Sequence, residues 1–166
     1  MKKIIVTVIF WQLLLANLMA QNYTIIVDRS KSLGDLVVAG KYDIVYGEIN
    51  SENFPIDNPE KRINTLVVHL FKNTNHYSGE KICKELKKIG YRPADIRELL
   101  AFGITYPEKQ SDSSIIALGS RYPDKIFSNS YFIPVLGGEN NKRIIYTEWM
   151  DVPRNESFIF MAIKIE

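Results

Sequence analysis

Apolar and polar positions follow one rhythm in the first half of this chain and another in the second. Tyr23-Thr24-Ile25-Ile26-Val27 is β-branched and aromatic and predicts a first strand. Ser32-Leu33-Gly34-Asp35 has the order of a capping box, with Asp in the place of Glu or Gln. Leu33, Leu36 and Val37 then form one apolar stripe, and Gly40 supplies the stop of a short helix. Residues 42–46 are a second candidate strand, and 47–60 read as loop because Asn50, Ser51, Pro55, Asn58 and Pro59 interrupt them. Residues 65–71 are nearly continuously apolar, which predicts a central strand covered on both faces.

Ser78 opens the clearest helix. Ile82, Cys83, Leu86 and Ile89 fall on one stripe, Glu80, Lys81, Lys84, Glu85, Lys87 and Lys88 cover the other sides, and Gly90 is placed to end it in the left-handed region. Pro93 marks the start of a third helix with Ile96, Leu99 and Leu100 on its apolar face and Gly103 at its end. From Ile115 onward the pattern is strand and turn, with candidate strands at 115–118, 131–136, 143–149 and 158–165. Gly137-Gly138 and Asn140-Asn141 mark a turn between two of these. The expected architecture is a single compact α+β domain over residues 21–166, with a strand/helix half leading into a mostly antiparallel, loop-rich β half.

The first twenty residues stand apart. Lys2 and Lys3 precede an apolar run at 4–15 broken only by Thr7 and Gln12, and the small Ala20 precedes polar Gln21-Asn22. That order is the pattern of a secretory signal peptide cut after Ala20. It implies an exported protein, periplasmic or secreted; the alternative is an anchor through residues 4–20, which would hold the domain at a membrane. Removing residues 1–20 from 166 leaves 146, the size of one domain able to bury a core without staples. The single cysteine, Cys83, excludes an intrachain disulfide. The formal charge of +2 falls to about zero without Lys2 and Lys3, so the domain lacks the basic footprint of a nucleic-acid binder.

Several segments carry a resemblance. Gly90-Tyr91-Arg92-Pro93-Ala94-Asp95-Ile96-Arg97-Glu98-Leu99-Leu100-Ala101-Phe102-Gly103, together with Tyr106-Pro107, Ile115-Ile116-Ala117-Leu118-Gly119-Ser120, Ile133-Pro134-Val135-Leu136 and Phe158-Ile159-Phe160-Met161-Ala162-Ile163, is similar to a group of uncharacterised small bacterial proteins. That group implies no activity. Gly90-Tyr91-Arg92-Pro93 followed by Glu98, with Ser157-Phe158-Ile159 near the end, also resembles C-type-lectin-like domains of the formylglycine-generating and hypervariable-receptor kind. This second likeness implies a C-type-lectin-like fold and assigns no binding residue. Glu139-Asn140-Asn141 and Glu148-Trp149-Met150-Asp151 match neither of that family's calcium and sugar motifs.

The residues themselves offer little catalytic chemistry. Cys83 sits in an apolar stripe, where a thiol packs rather than attacks. His69 and His76 are seven positions apart with no acidic or thiol partners at ligand spacing, so no metal is expected, and no cofactor motif is present. Paired carboxylates are easy to find: Asp95 and Glu98 share a helix face, and Glu148 and Asp151 lie near a turn, and such pairs are the basis of an alternative reading as an envelope hydrolase. More suggestive is the stretch 140–155, which concentrates Tyr146, Glu148, Trp149, Asp151, Arg154 and Asn155, side-chain types that favour contact surfaces. The sequence therefore points to an exported, non-catalytic binding module for a protein or glycan, using those six residues. Beside it stand the hydrolase alternative and a structural envelope subunit.

Overall fold

The computed structural model describes residues 21–56, 62–72, 76–127, 129–151 and 157–165. Nine strands and three helices among them form one mixed sheet with helices on both faces, a single compact α+β domain. The strands are β1 (Gln21–Asp28), β2 (Ile44–Val45), β3 (Ile63–Lys72), β4 (Tyr91–Pro93), β5 (Ser114–Ile116), β6 (Tyr122–Pro123), β7 (Tyr131–Glu139), β8 (Lys142–Trp149) and β9 (Phe158–Lys164). The helices are α1 (Leu33–Gly40), α2 (Gly79–Lys88) and α3 (Ile96–Thr105), and a 3-10 turn covers Pro107–Gln110. The sheet order is β1-β3-β9-β5-β7-β8-β2, with β4 added to β9 and β6 to β7.

The first and last strands of the chain are thus near neighbours: β3 separates β1 from β9, and β5 joins β9 to the β7–β8 hairpin. The second half is less purely antiparallel than its turn-rich pattern suggests, because β5 runs parallel to β9 and β2 parallel to β8. Both halves contribute to one sheet and one core.

Strand alternation divides that core. On one face, Ile25, Val27, Val68, Leu70, Met161, Ile163, Ile115, Leu136 and Ile145 pack under α1 and α3. On the other, Ile116, Val135, Ile133 and Phe160 pack with Ile82 and Cys83 of α2, and Phe71 and Ala162 meet Leu86. α2 is short, and it covers only the far end of β3. Val67 is consequently 48% exposed, and the expected two-sided burial of residues 65–71 holds only toward the C-terminal end of the strand.

The local signals at element ends are mixed in outcome. The Ser32–Asp35 capping box forms, with the Ser32 hydroxyl accepting from the Asp35 N–H at 3.1 Å. Gly90 ends α2 with φ at +80°, a region open to glycine at little cost. Pro93, however, lies in β4, and α3 starts later, at a second capping box made by Asp95 and Glu98. Gly103 is interior to α3 rather than its end. A Cβ there would lie 2.9 Å from Leu136 Cδ1, so glycine serves close approach of the helix to the sheet. At the end of α1 the left-handed residue is Lys41 and not Gly40. Gly137 and Gly138 lie within β7, and the tight turn is Asn140-Asn141 alone, both with positive φ.

Candidate functional site

The residues expected to share a surface are divided by the pleat of β8. In a strand, successive side chains point to opposite faces. Tyr146 and Glu148 therefore lie on the α2 side, while Trp149 lies on the α1/α3 side with its cross-strand partner Phe132. Asp151 is exposed in the turn after Met150, and Arg154 and Asn155 lie outside the described residues. No single face unites the described members of this group.

Each half has its own surroundings. Tyr146 is half-buried; its hydroxyl shares a hydrogen bond with Ser114 Oγ at 3.3 Å, and its ring is 6.3 Å from that of Tyr46. These side chains line a shallow hollow of 280 Å³ with Gly137, Gly138, Glu139 and Ile144. The Glu148 carboxylate turns back to accept the Trp149 N–H at 3.1 Å.

Trp149 belongs to a ladder of rings that the sequence reading did not assemble. Phe54, buried in the main core, meets Tyr122 edge-to-face at 5.3 Å between centroids. Tyr122 stacks on Phe132 at 5.2 Å, Phe132 meets Trp149 at 5.9 Å, and Trp149 meets Phe127 at 5.4 Å. Exposure rises along this path, to 36% at Trp149 and 52% at Phe127, with Ile126 beside them at 82%. Burial pushes the Tyr122 hydroxyl above its ordinary pKa, and a hydrogen bond to Thr147 opposes that shift.

The outer rung is held, not loose. Asp124 Oδ1 accepts from the N–H groups of Ile126 at 2.7 Å and Phe127 at 3.3 Å. The Asp124 and Ser130 main chains close the base of the same loop, with the Asp124 N–H donating to the Ser130 carbonyl at 2.9 Å and the Ser130 N–H to the Phe127 carbonyl at 3.2 Å. A carboxylate that accepts neighbouring backbone N–H groups fixes a turn, and this one presents two large apolar side chains outward. The available signal was the Ile126-Phe127 pair in the otherwise polar stretch 124–130. Phe132 and Tyr122 carried none, since cross-strand pairing decides their neighbours.

The carboxylate pair on α3 is brought together, but with its oxygens already committed. Glu98 is fully buried and receives Arg92 in a two-pronged contact, Nη2 to Oε1 at 2.7 Å and Nη1 to Oε2 at 2.9 Å. Its Oε2 also accepts the Asp95 N–H at 2.9 Å, and Arg29 Nη2 lies 3.6 Å from Oε1. Asp95 accepts the Glu98 N–H at 2.9 Å and lies 3.9 Å from Arg29. Burial, and then the adjacent Glu98 carboxylate, hold the Asp95 carboxyl above its usual range. Such a pair secures the start of a helix; no lone pair of Glu98 is left facing a substrate.

Cys83 is half-buried against the α2-side core, and burial pushes its thiol up, the opposite of what a nucleophile needs. His69 lies 4.9 Å from Tyr91 between ring centroids, its basicity lowered by burial first and by Lys164 second. Among the described residues no three His, Cys, Asp or Glu side chains gather as metal ligands, and no helix is long and apolar enough to cross a membrane. No family model, curated protein or solved structure matches the chain.

Proposed function

We propose that this protein is a non-catalytic binding module, exported under the direction of residues 1–20, that docks another protein on the aromatic surface at the β6–β8 end of its sheet. The observation that carries this reading is the ring ladder from Phe54 to Phe127, rooted in the core and ending on a pinned loop with half of Phe127 in water. Exposed aromatic anchors held in place before binding lose little conformational freedom on docking, which favours affinity. The immediate neighbours of the exposed rings are apolar, Ile126 and Phe132, and this favours a protein surface over a glycan, which would want directional polar groups around a ring.

The test compares immobilised baits. Wild type, Phe127→Asp, and Ile63→Asp on the distant β3 are each exposed to envelope extract, with folding checked by circular dichroism. A protein retained by wild type and by the Ile63 variant but lost from the Phe127 variant supports the reading. Retention of the same proteins by all three, or of none, overturns it.

A further inference from the structure

Two arginines take up the two carboxylates at the start of α3, and a third on the same turn is left without either. Arg92 and Arg29 take up Glu98 and approach Asp95. Arg97, one residue before Glu98, takes up neither. It is only 7% exposed, and its Nε and Nη2 are buried without any hydrogen-bond partner.

One backbone donor of the same turn is also unspent. The Asp95 and Glu98 N–H groups are satisfied by each other's carboxylates and the Ile96 N–H by Ser120 Oγ at 2.9 Å, whereas the Arg97 N–H has no acceptor among the described residues. Arg29 Nε is likewise buried and unpartnered. Long side chains on a helix lean toward its N-terminus, a tendency that directs the Arg97 head toward the first turn of α3, where the helix dipole is positive. A buried, unpaired guanidinium is costly, and the cost disappears when an acceptor of opposite charge arrives.

We propose that Arg97 and the first turn of α3 form a binding site for an oxyanion, a carboxylate or phosphate group. The anion accepts from the Arg97 guanidinium and neutralises its unpaired charge. This site is independent of the aromatic surface.

The experiment measures thermal unfolding of the purified full chain and of Arg97→Met, in chloride, inorganic phosphate and acetate at matched ionic strength. In chloride the Met variant is expected to melt no lower than wild type, since it removes an unpaired charge and keeps the stem's packing. Phosphate or acetate is expected to raise the wild-type midpoint saturably, by roughly 5–10 °C at a hundredfold excess over Kd, and to leave the variant unmoved. Whichever anion acts at the lower concentration identifies the source class. A variant that melts well below wild type in chloride overturns the proposal, because the guanidinium then has an acceptor within the chain. Absent or equal anion shifts in the two proteins overturn it as well.

Discussion

Phe127 meets Trp149 edge-to-face, with ring centroids 5.4 Å apart and planes 61° from parallel. The two rings reach each other from different elements, Phe127 on the β6–β7 loop and Trp149 at the last position of β8. Their contact ties the loop to the sheet and leaves both rings partly in water. A side chain half in solvent contributes little to folding, whereas a buried ring contributes much. Phe127→Ala should therefore change unfolding free energy by less than about 1 kcal/mol, while Phe102→Ala, with its ring fully buried, should cost about 3–5 kcal/mol. Urea denaturation of the two variants measures the contrast. A loss at Phe127 comparable to that at Phe102 would mean that the aromatic loop is part of the core.

Arg143 is the staple between the sheet and both helices of the main face. Its guanidinium donates to the Gly103 carbonyl at 2.6 Å, the Gly40 carbonyl at 2.5 Å and Gln110 Oε1 at 3.1 Å, and stacks over Tyr42 at 4.9 Å. Arg143→Ala strands these acceptors and should cost about 3 kcal/mol or more. Arg143→Lys keeps the charge but not the planar fork, and should recover less than half of that loss. Full recovery by lysine would show that charge alone matters at this position.

Asp95 links α3 to pH. Its folded-state pKa is raised above the ordinary carboxylate value, chiefly by burial. The folded protein thus binds this proton more tightly than the unfolded chain. Ionised Asp95 weakens the fold at neutral pH, and the penalty fades as pH falls through the raised folded value toward the unfolded one. Asn caps a helix about as well as Asp. Asp95→Asn should therefore gain stability relative to wild type at pH 7, with the advantage shrinking as pH falls through the raised folded value and gone below about pH 4. Denaturation across that range tests the sign, and an advantage that widens in acid contradicts it.

Much of this architecture was legible where the deciding physics is local. The Ser32–Asp35 capping box, Gly90 after α2, the apolar stripe of Ile82, Cys83 and Leu86, and strands β5, β7, β8 and β9 follow from nearest-neighbour patterning. Long-range pairing was not legible. Gly103 reads as a helix stop in sequence because nothing local announces Leu136 beside it or the Arg143 guanidinium on its carbonyl. Tyr146 and Trp149 look like one cluster until the pleat of β8 sends them to opposite faces. Tyr122 and Phe132 become neighbours only through the β6–β7 register, and nothing local announces that α3 is buried on nearly every side, Arg97 included.

Cys83 offers a check on the α2 packing. Its thiol is pushed up by burial, so it should react with a disulfide reagent at pH 8 much more slowly than a free thiol, and at the ordinary rate once the protein is unfolded in denaturant. Equal rates in the two states would place α2 off the sheet.

The central claim, that a partner covers the exposed end of the ring ladder, can be read from Trp149 itself. The chain has two tryptophans, Trp11 and Trp149, so Trp11→Phe leaves Trp149 as the sole reporter. The measurement is acrylamide quenching of its fluorescence in the free protein and in the complex with the protein retained by the wild-type bait. Ready quenching is expected in the free protein and marked protection in the complex; unchanged quenching would place the partner elsewhere and overturn the docking claim.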